Sequence, residues 1–346
     1  MGRVKQHFGG QTMNLKVLGS LAVSVFLFFS SMANAEIFKA ETSAPGGATH
    51  AAMVALAKLA SEKANINIQI NDGQTLTSSA LKNAQGKIDF SIVPPAVYTF
   101  MTKGIKMYGK LGQDAIDASK NLKSIFSFTG GAFHPTVYES SGIKSLSDMK
   151  GKRVFTGPPS GAASVNMEQI IEIATGLKPG DDYEAVHMAW GEGAQAMMDG
   201  KLDVFFNAVS IGSANVEQIS ITKKVRFLGL DTSKLNDPEY LGYLKVPGRA
   251  FGVIPPNTYV GQVNETGVTV PLYMMIAATR ADLSDDVVYE VTKAFWENLE
   301  DVHQTAAVLK AISKDTAFKA LNIPLHPGAY RYYQEQGFNV PEKLIP

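Results

Sequence analysis

Six histidines stand at positions 7, 50, 134, 187, 303 and 326. A catalytic zinc draws its ligands from patterns such as HExxH or H-x-H, and neither occurs. The turn Gly157-Pro158-Pro159-Ser160-Gly161 has the parts of a nucleophile elbow. G-x-S-x-G puts its serine one place earlier, and the proline pair blocks the strained geometry. No GxxxxGK[ST] is present, so no phosphate is cradled in the P-loop manner. The acidic pairs Asp181-Asp182 and Asp285-Asp286 have the spacing of solvated helix starts, not of two carboxyls sharing a catalytic proton. The chain has no cysteine, which removes thiolate metal sites, a cysteine nucleophile and a disulfide scaffold. Neither an enzyme nor a cofactor or metal site is expected.

Binding chemistry remains. Two Gly-rich turns, Gly46–Thr49 and Ser160–Ser164, each open a helix-like run. A helix start leaves backbone N–H groups unpaired and carries partial positive charge, so it suits a carboxylate or a phosphate. In open α/β sheets such turns lie at the carboxyl ends of strands, where ligands bind. Four further loops share that layer: Gly73–Ser79 and Val93–Tyr98 in the first half, His187–Gly193 and Asn207–Ser210 in the second. Arg249 is a candidate cation, weighed against an ordinary surface or interlobe salt bridge. The cluster Tyr330, Tyr332, Tyr333 reads as core packing rather than a ligand cage.

The elements that position these loops repeat. Moved back by 114 positions, Thr156 falls on Thr42, Pro159 on Pro45, Gly161 on Gly47, Ala162 on Ala48 and Met167 on Met53; Gly200, Lys201 and Asp203 fall on Gly86, Lys87 and Asp89. Each half alternates strand and helix with short connections, which predicts parallel sheets with right-handed crossovers. Residues 103–121 read as a polar, mobile connection. Strands at 122–129 and 136–139, separated by Gly130-Gly131, would make the first crossing between lobes. The return crossing would run through Ala250–Ile254, followed by one long strand at 268–279. Amphipathic helices are expected over 287–302 and 309–321. The fold class is α/β: two similar lobes, each a mostly parallel sheet flanked by helices, hinged around a central cleft. The expected divisions are 1–35 (signal peptide), 36–130 (lobe one), 131–240 (lobe two) and 241–346 (completion of lobe one).

Composition agrees with a globular chain: 346 residues, 45% hydrophobic and 18% charged, with a formal net charge of zero. Zero charge leaves no electrostatic footprint for nucleic acid. Arg3, Lys5 and Lys16 precede an apolar run from Val17 to Phe29, and Ala33-Asn34-Ala35 follows. This is the pattern of a secretory signal peptide cleaved before Glu36, too short for a spanning helix. Export to the periplasm is therefore expected. Met13 is an alternative start.

The chain resembles a type II periplasmic solute-binding protein through GIKSLSDMKGKRV at Gly142–Val154. More narrowly, it resembles the TAXI family of TRAP transporter solute receptors. The segments that carry this are Pro45–Leu59, QGKIDFSIV at Gln85–Val93, IPPNTYVGQ at Ile254–Gln262, and HPGAYRYYQEQG at His326–Gly337. The resemblance implies a Venus-flytrap protein that captures a small organic anion, a carboxylate or glutamate-like dicarboxylate. It would deliver the anion to a sodium-coupled TRAP-type membrane permease and act as a monomer. Many members have a Gly-Thr-Gly-Gly-like first turn and a Ser or Asp in the third loop, whereas this chain has Ser43-Ala44-Pro45-Gly46-Gly47 and Pro94-Pro95, which implies an altered pocket. The expected ligand set is Ser43, Gly46, Gly47, Ala48, Thr49, Gln74, Thr75, Ser78, Pro94, Tyr98, Ser160, Gly161, Ala162, Ser164, Asn207 and Arg249. The competing readings are an exported enzyme on the same fold and a ligand sensor docking on a membrane receptor.

Overall fold

The computed structural model describes Gly2 and residues 36–346. Apart from Gly2, the expected signal peptide lies outside the described residues, and so does Met13. Among the described residues no helix is long and apolar enough to cross a membrane.

The first lobe opens with β1 (Ile37–Glu41), α1 (Ala48–Ala64), β2 (Asn67–Asn71), α2 (Leu76–Ala84), β3 (Phe90–Val93) and α3 (Pro95–Lys103). Helix α1 is rich in alanine, the strongest helix former, and buries Met53, Leu56 and Leu59. It stops at Asn65, which takes the left-handed conformation (φ 54°) that asparagine tolerates, and whose N–H donates to the carbonyl of Ala60. Residues 103–121 are not a loose connection. They hold α4 (Gln113–Ser119) and bury Tyr108, whose hydroxyl donates to the carbonyl of Thr77 at 2.7 Å.

The second lobe holds β5 (Arg153–Phe155), α5 (Ala162–Thr175), β6 (Glu184–Val186), α6 (Trp190–Met198) and β7 (Val204–Val209), after the long strand β4 (Leu122–Tyr138). The internal repeat is physical. Helices begin at 48 and 162 and at 76 and 190, and strands at 90 and 204, each pair 114 apart. Strand β1 lies parallel between β2 and β3, and β5 lies parallel between β6 and β7. Even the strand anchors match. The Asp89 carboxylate accepts the Lys39 N–H at 2.7 Å, and the Asp203 carboxylate accepts the Arg153 N–H at 2.9 Å. This is why aspartate follows Gly-Lys-x in both copies: it ties the third strand of each lobe to the first.

After α7 (Ala214–Thr222), β8 (Val225–Phe227), α8 (Pro238–Leu244) and β9 (Arg249–Ile254), strand β10 (Val268–Arg280) completes one sheet. Its order is β2-β1-β3-β10-β4-β7-β5-β6, with β8 beside β4 and β9 beside β10. Strands β4 and β10 are antiparallel and link the halves. The late part of β10 pairs with β3, and the late part of β4 pairs with β7. The expected break in β4 at Gly130-Gly131 is absent. Gly131 instead sits at φ 148°, opposite a register shift between Tyr273 and Met274. A Cβ on Gly131 would lie 2.5 Å from the Val209 carbonyl oxygen, so only glycine fits. Segment 250–254 is β9, paired with the early half of β10.

The carboxyl-terminal elements are α9 (Asp285–Glu297), α10 (Leu299–Thr305) and α11 (Pro327–Glu335). The helix expected over 287–302 breaks at Asn298, whose side-chain amide donates to the Ala294 carbonyl in place of a backbone N–H. The helix expected over 309–321 is replaced by short turns. Ser127 on β4 takes carbonyls a helix would need: its N–H bonds Ala317 O at 2.8 Å and its hydroxyl bonds Lys319 O at 2.6 Å. Tyr332 and Tyr333 are core, and the Tyr333 hydroxyl accepts from the Trp296 indole at 2.7 Å and donates to Ile125 O at 3.0 Å.

Candidate functional site

A cavity of about 100 Å³ lies where the two halves of the sheet meet, and an adjoining chamber of about 150 Å³ shares Ser43, Thr49, Trp190, Ala208 and Tyr273 with it. Six helices begin on these walls, counting α7 through Asn215. Gly47 and Thr49 come from the start of α1, Thr75 to Thr77 from α2, Pro94 to Ala96 from α3, Gly161 to Ala163 from α5, and Trp190 from α6.

Four of those starts, of α1, α2, α3 and α5, lack a side-chain cap. Helix α7, by contrast, is capped by the Ser213 hydroxyl, which accepts from Asn215 N–H. Thr75 occupies the N-cap position of α2, a favoured place for a capping hydroxyl, yet does not cap. Uncapped first turns leave donors unpaired and sum to partial positive charge on the cavity.

Arg249, the first residue of β9, adds a full charge. Its guanidinium sits 4.4 Å from the centre of the Tyr243 ring, and Tyr243 stacks on Phe251. One terminal nitrogen donates to the Gln169 side chain at 2.9 Å, while Nε is buried without a partner. Among the described residues Arg249 has no carboxylate within ion-pair distance. Burial pulls its pKa below the ordinary arginine value, an effect the Tyr243 ring partly opposes. The surface salt bridge weighed from the sequence is therefore absent among the described residues. The preceding Pro247-Gly248 leans on α3. Gly248 has φ 83°, and a Cβ there would meet the Pro95 ring at 2.6 Å.

Two hydrogen bonds join loops of the two halves beside the cavity. Thr77 donates to Ser160 O at 3.2 Å, and Ser213 donates to Gly46 O at 3.3 Å.

Of the expected ligand set, Ser43, Thr49, Gln74, Thr75, Pro94, Gly161, Ala162 and Arg249 line the main cavity, and Gly47 and Asn207 line the adjoining chamber. The rest lie elsewhere. Gly46 and Ser160 join the two halves through their carbonyls. The Ser164 hydroxyl folds back onto Pro158 O at 2.7 Å, so it serves its own turn. Ala48 is core, Ser78 is exposed on the outer side of α2, and Tyr98 packs against the core.

The cavity also draws on Phe133, Asn166, Tyr273, Met274 and Met275, which the sequence does not single out, and on Trp190 and Ala208, which lie in the expected loops 187–193 and 207–210 but outside the expected ligand set. Trp190 had a signal, since it is the repeat counterpart of Leu76, which also lines the cavity. Phe133 on β4 and Tyr273, Met274 and Met275 on β10 carry no local signal, because they come together only through the pairing of two strands far apart in sequence.

The chain belongs to the NMT1-like family, whose model matches residues 41–337. Solved structures similar to it include the periplasmic aliphatic sulphonate binding protein SsuA from Escherichia coli (14% identity, TM-score 0.43, covering 89% of this chain and 90% of that one). Another is a TRAP periplasmic solute binding protein from Sulfitobacter sp. NAS-14.1 with bound β-D-galacturonate (12% identity, TM-score 0.46, 87% and 94%). A third is DctP7, a Bordetella pertussis extracytoplasmic solute receptor binding pyroglutamic acid (12% identity, TM-score 0.46, 87% and 91%).

Proposed function

We propose that this protein is an exported solute receptor that captures a small organic anion between its lobes and performs no chemistry on it. The observation that supports this best is the convergence of four uncapped helix starts and one guanidinium without a carboxylate partner on a single cavity. A cavity so furnished binds negative charge: each charged hydrogen bond contributes about 1.5–3 kcal/mol, and micromolar affinity needs about 8 kcal/mol. No pair of residues on its walls forms a nucleophile and base; the lining holds no histidine, carboxylate or lysine.

The ligand bridges the lobes and favours the closed state through its differential affinity for it. The binding residues are those expected ones that line the two chambers. Lobe one is built on residues 36–130 and completed from within 241–346, and lobe two on 131–240, with β9 and the early part of β10 packed on lobe two. The reader of the closed state is a TRAP-type permease and the subfamily TAXI, a reading supported by the segments at 254–262 and 326–337. The protein acts in the periplasm as a monomer.

The test is a thermal-shift and calorimetric screen of the purified protein against organic acids. Ligand at 100 times its dissociation constant stabilises by about 2.7 kcal/mol, a shift of several degrees. Silence across all organic acids would sink the reading. For the permease, transport in proteoliposomes should require both this protein and a sodium gradient.

A further inference from the structure

The walls of the cavity discriminate among anions. Across both chambers Arg249 is the one charged lining residue; neither Asp, Glu, Lys nor His contributes. The carboxylates borne by neighbouring elements are engaged elsewhere. Glu41, at the end of β1, is buried against Lys82 at 2.6 Å and the Ser79 hydroxyl at 2.7 Å. Glu168 on α5 accepts from Thr156 at 3.1 Å and faces His187 at 3.5 Å. The rest of the lining is mostly apolar, with Phe133, Trp190, Met274 and Met275, beside the neutral polar groups of Gln74 and Asn166.

An α-ammonium brought into this space would lose its hydration without gaining a counter-charge. It would also face Arg249 and the positive ends of several helices, so like charges would oppose it. A second carboxylate on the ligand would find no second cationic side chain, only the remaining helix starts, whose partial charges are weaker partners than a guanidinium. Methyl, methylene or ring carbons would meet carbon.

We propose that the ligand is an amine-free carboxylate monoanion with an apolar body, its head on Arg249 and its body against Phe133, Trp190 and the two methionines. This rests on the anion reading above and narrows it; it sets aside glutamate and dicarboxylates.

The experiment is calorimetry on the purified protein with matched pairs: isocaproate and leucine, hydrocinnamate and phenylalanine, glutarate and glutamate. The expected result is that isocaproate or hydrocinnamate binds at least about tenfold more tightly than its amino-acid counterpart, and more tightly than glutarate. Equal or tighter binding of leucine, phenylalanine or glutamate overturns the amine-free assignment and leaves the anion reading standing. Tighter binding of glutarate than of both monoanions overturns the monoanion assignment alone. Absence of binding by all six and by every other organic acid overturns both readings together.

Discussion

Thr77 on α2 donates its hydroxyl to the carbonyl oxygen of Ser160 at 3.2 Å, joining two helix-start loops that are 83 residues apart. With the Ser213–Gly46 contact it ties the two halves together beside the cavity. Thr77 is buried and Ser160 exposed, so this bond is partly shielded from water. A neutral hydrogen bond of this kind contributes about 0.5–1.5 kcal/mol. Thr77→Ala should therefore raise the dissociation constant by roughly 2- to 10-fold, chiefly through faster release, because changes at one interface act mostly on the off-rate. Thr77→Ser should keep the wild-type value. Stopped-flow release of a bound acid reads the difference, and an unchanged off-rate in Thr77→Ala would show that the contact does not hold the closed state.

Arg249 carries the charge argument. Its guanidinium is partly desolvated, stacked on Tyr243 and bonded to Gln169, with a buried Nε lacking any partner. Such a group destabilises the empty protein and is offset when an anion arrives. Arg249→Met keeps an unbranched apolar stem against the Tyr243 ring and removes the charge. Binding should weaken by about 10- to 100-fold, the worth of one or more charge-assisted hydrogen bonds. The melting temperature of the ligand-free variant should equal or exceed that of wild type. Wild-type affinity in Arg249→Met would remove the guanidinium from the site.

How far the sequence anticipates this molecule depends on where the information lies. The repeat is legible because strand–turn–helix units are local, and Asp89 and Asp203 sit at equivalent anchors, although α6 begins at Trp190, inside the stretch 187–193 expected as a loop. It also marked the loops from which Thr49, Thr75, Gly161 and Trp190 reach the cavity. The central strand β4 was hidden. Gly130-Gly131 reads as a break, yet the irregular register opposite Tyr273 and Met274 accommodates it within one strand, and Pro135 pairs with Phe206 further along. Ser164 misled for a related reason. A serine in a helix's first turn suits an anion, but here the kinked Pro158-Pro159 turn exposes a carbonyl that takes the hydroxyl first. The turns at 309–321 were equally out of reach, because Ser127, nearly two hundred positions away, claims their carbonyls.

His134 links the cavity to pH. It lies fully buried on β4 beside the cavity residue Phe133, in register with Asn207 of the adjoining chamber. Its Nδ1 faces the Ala132 carbonyl at 3.1 Å and its Nε2 faces the Tyr259 hydroxyl at 2.8 Å. The Tyr259 hydroxyl accepts the Gly212 N–H at 2.8 Å, so it is free to donate its own proton to Nε2. This arrangement uses a neutral imidazole with the proton on Nδ1. Burial lowers its pKa from 6.5 to about 4, against weaker opposing hydrogen bonds from the backbone. Between those values the unfolded chain binds a proton that the native protein does not, so stability rises with pH across the window. The contribution is complete above about pH 6.5 and is lost as pH falls through about 4, a change of about 3 kcal/mol. His134→Gln can still reach Ala132 and Tyr259 but does not titrate. Urea unfolding of both proteins from pH 7 down to pH 4 should show wild type losing about 3 kcal/mol more than the variant. A wild-type-minus-variant difference that stays constant over that range would mean His134 is not the group that couples acid to the unfolding of this strand and the cavity wall it carries.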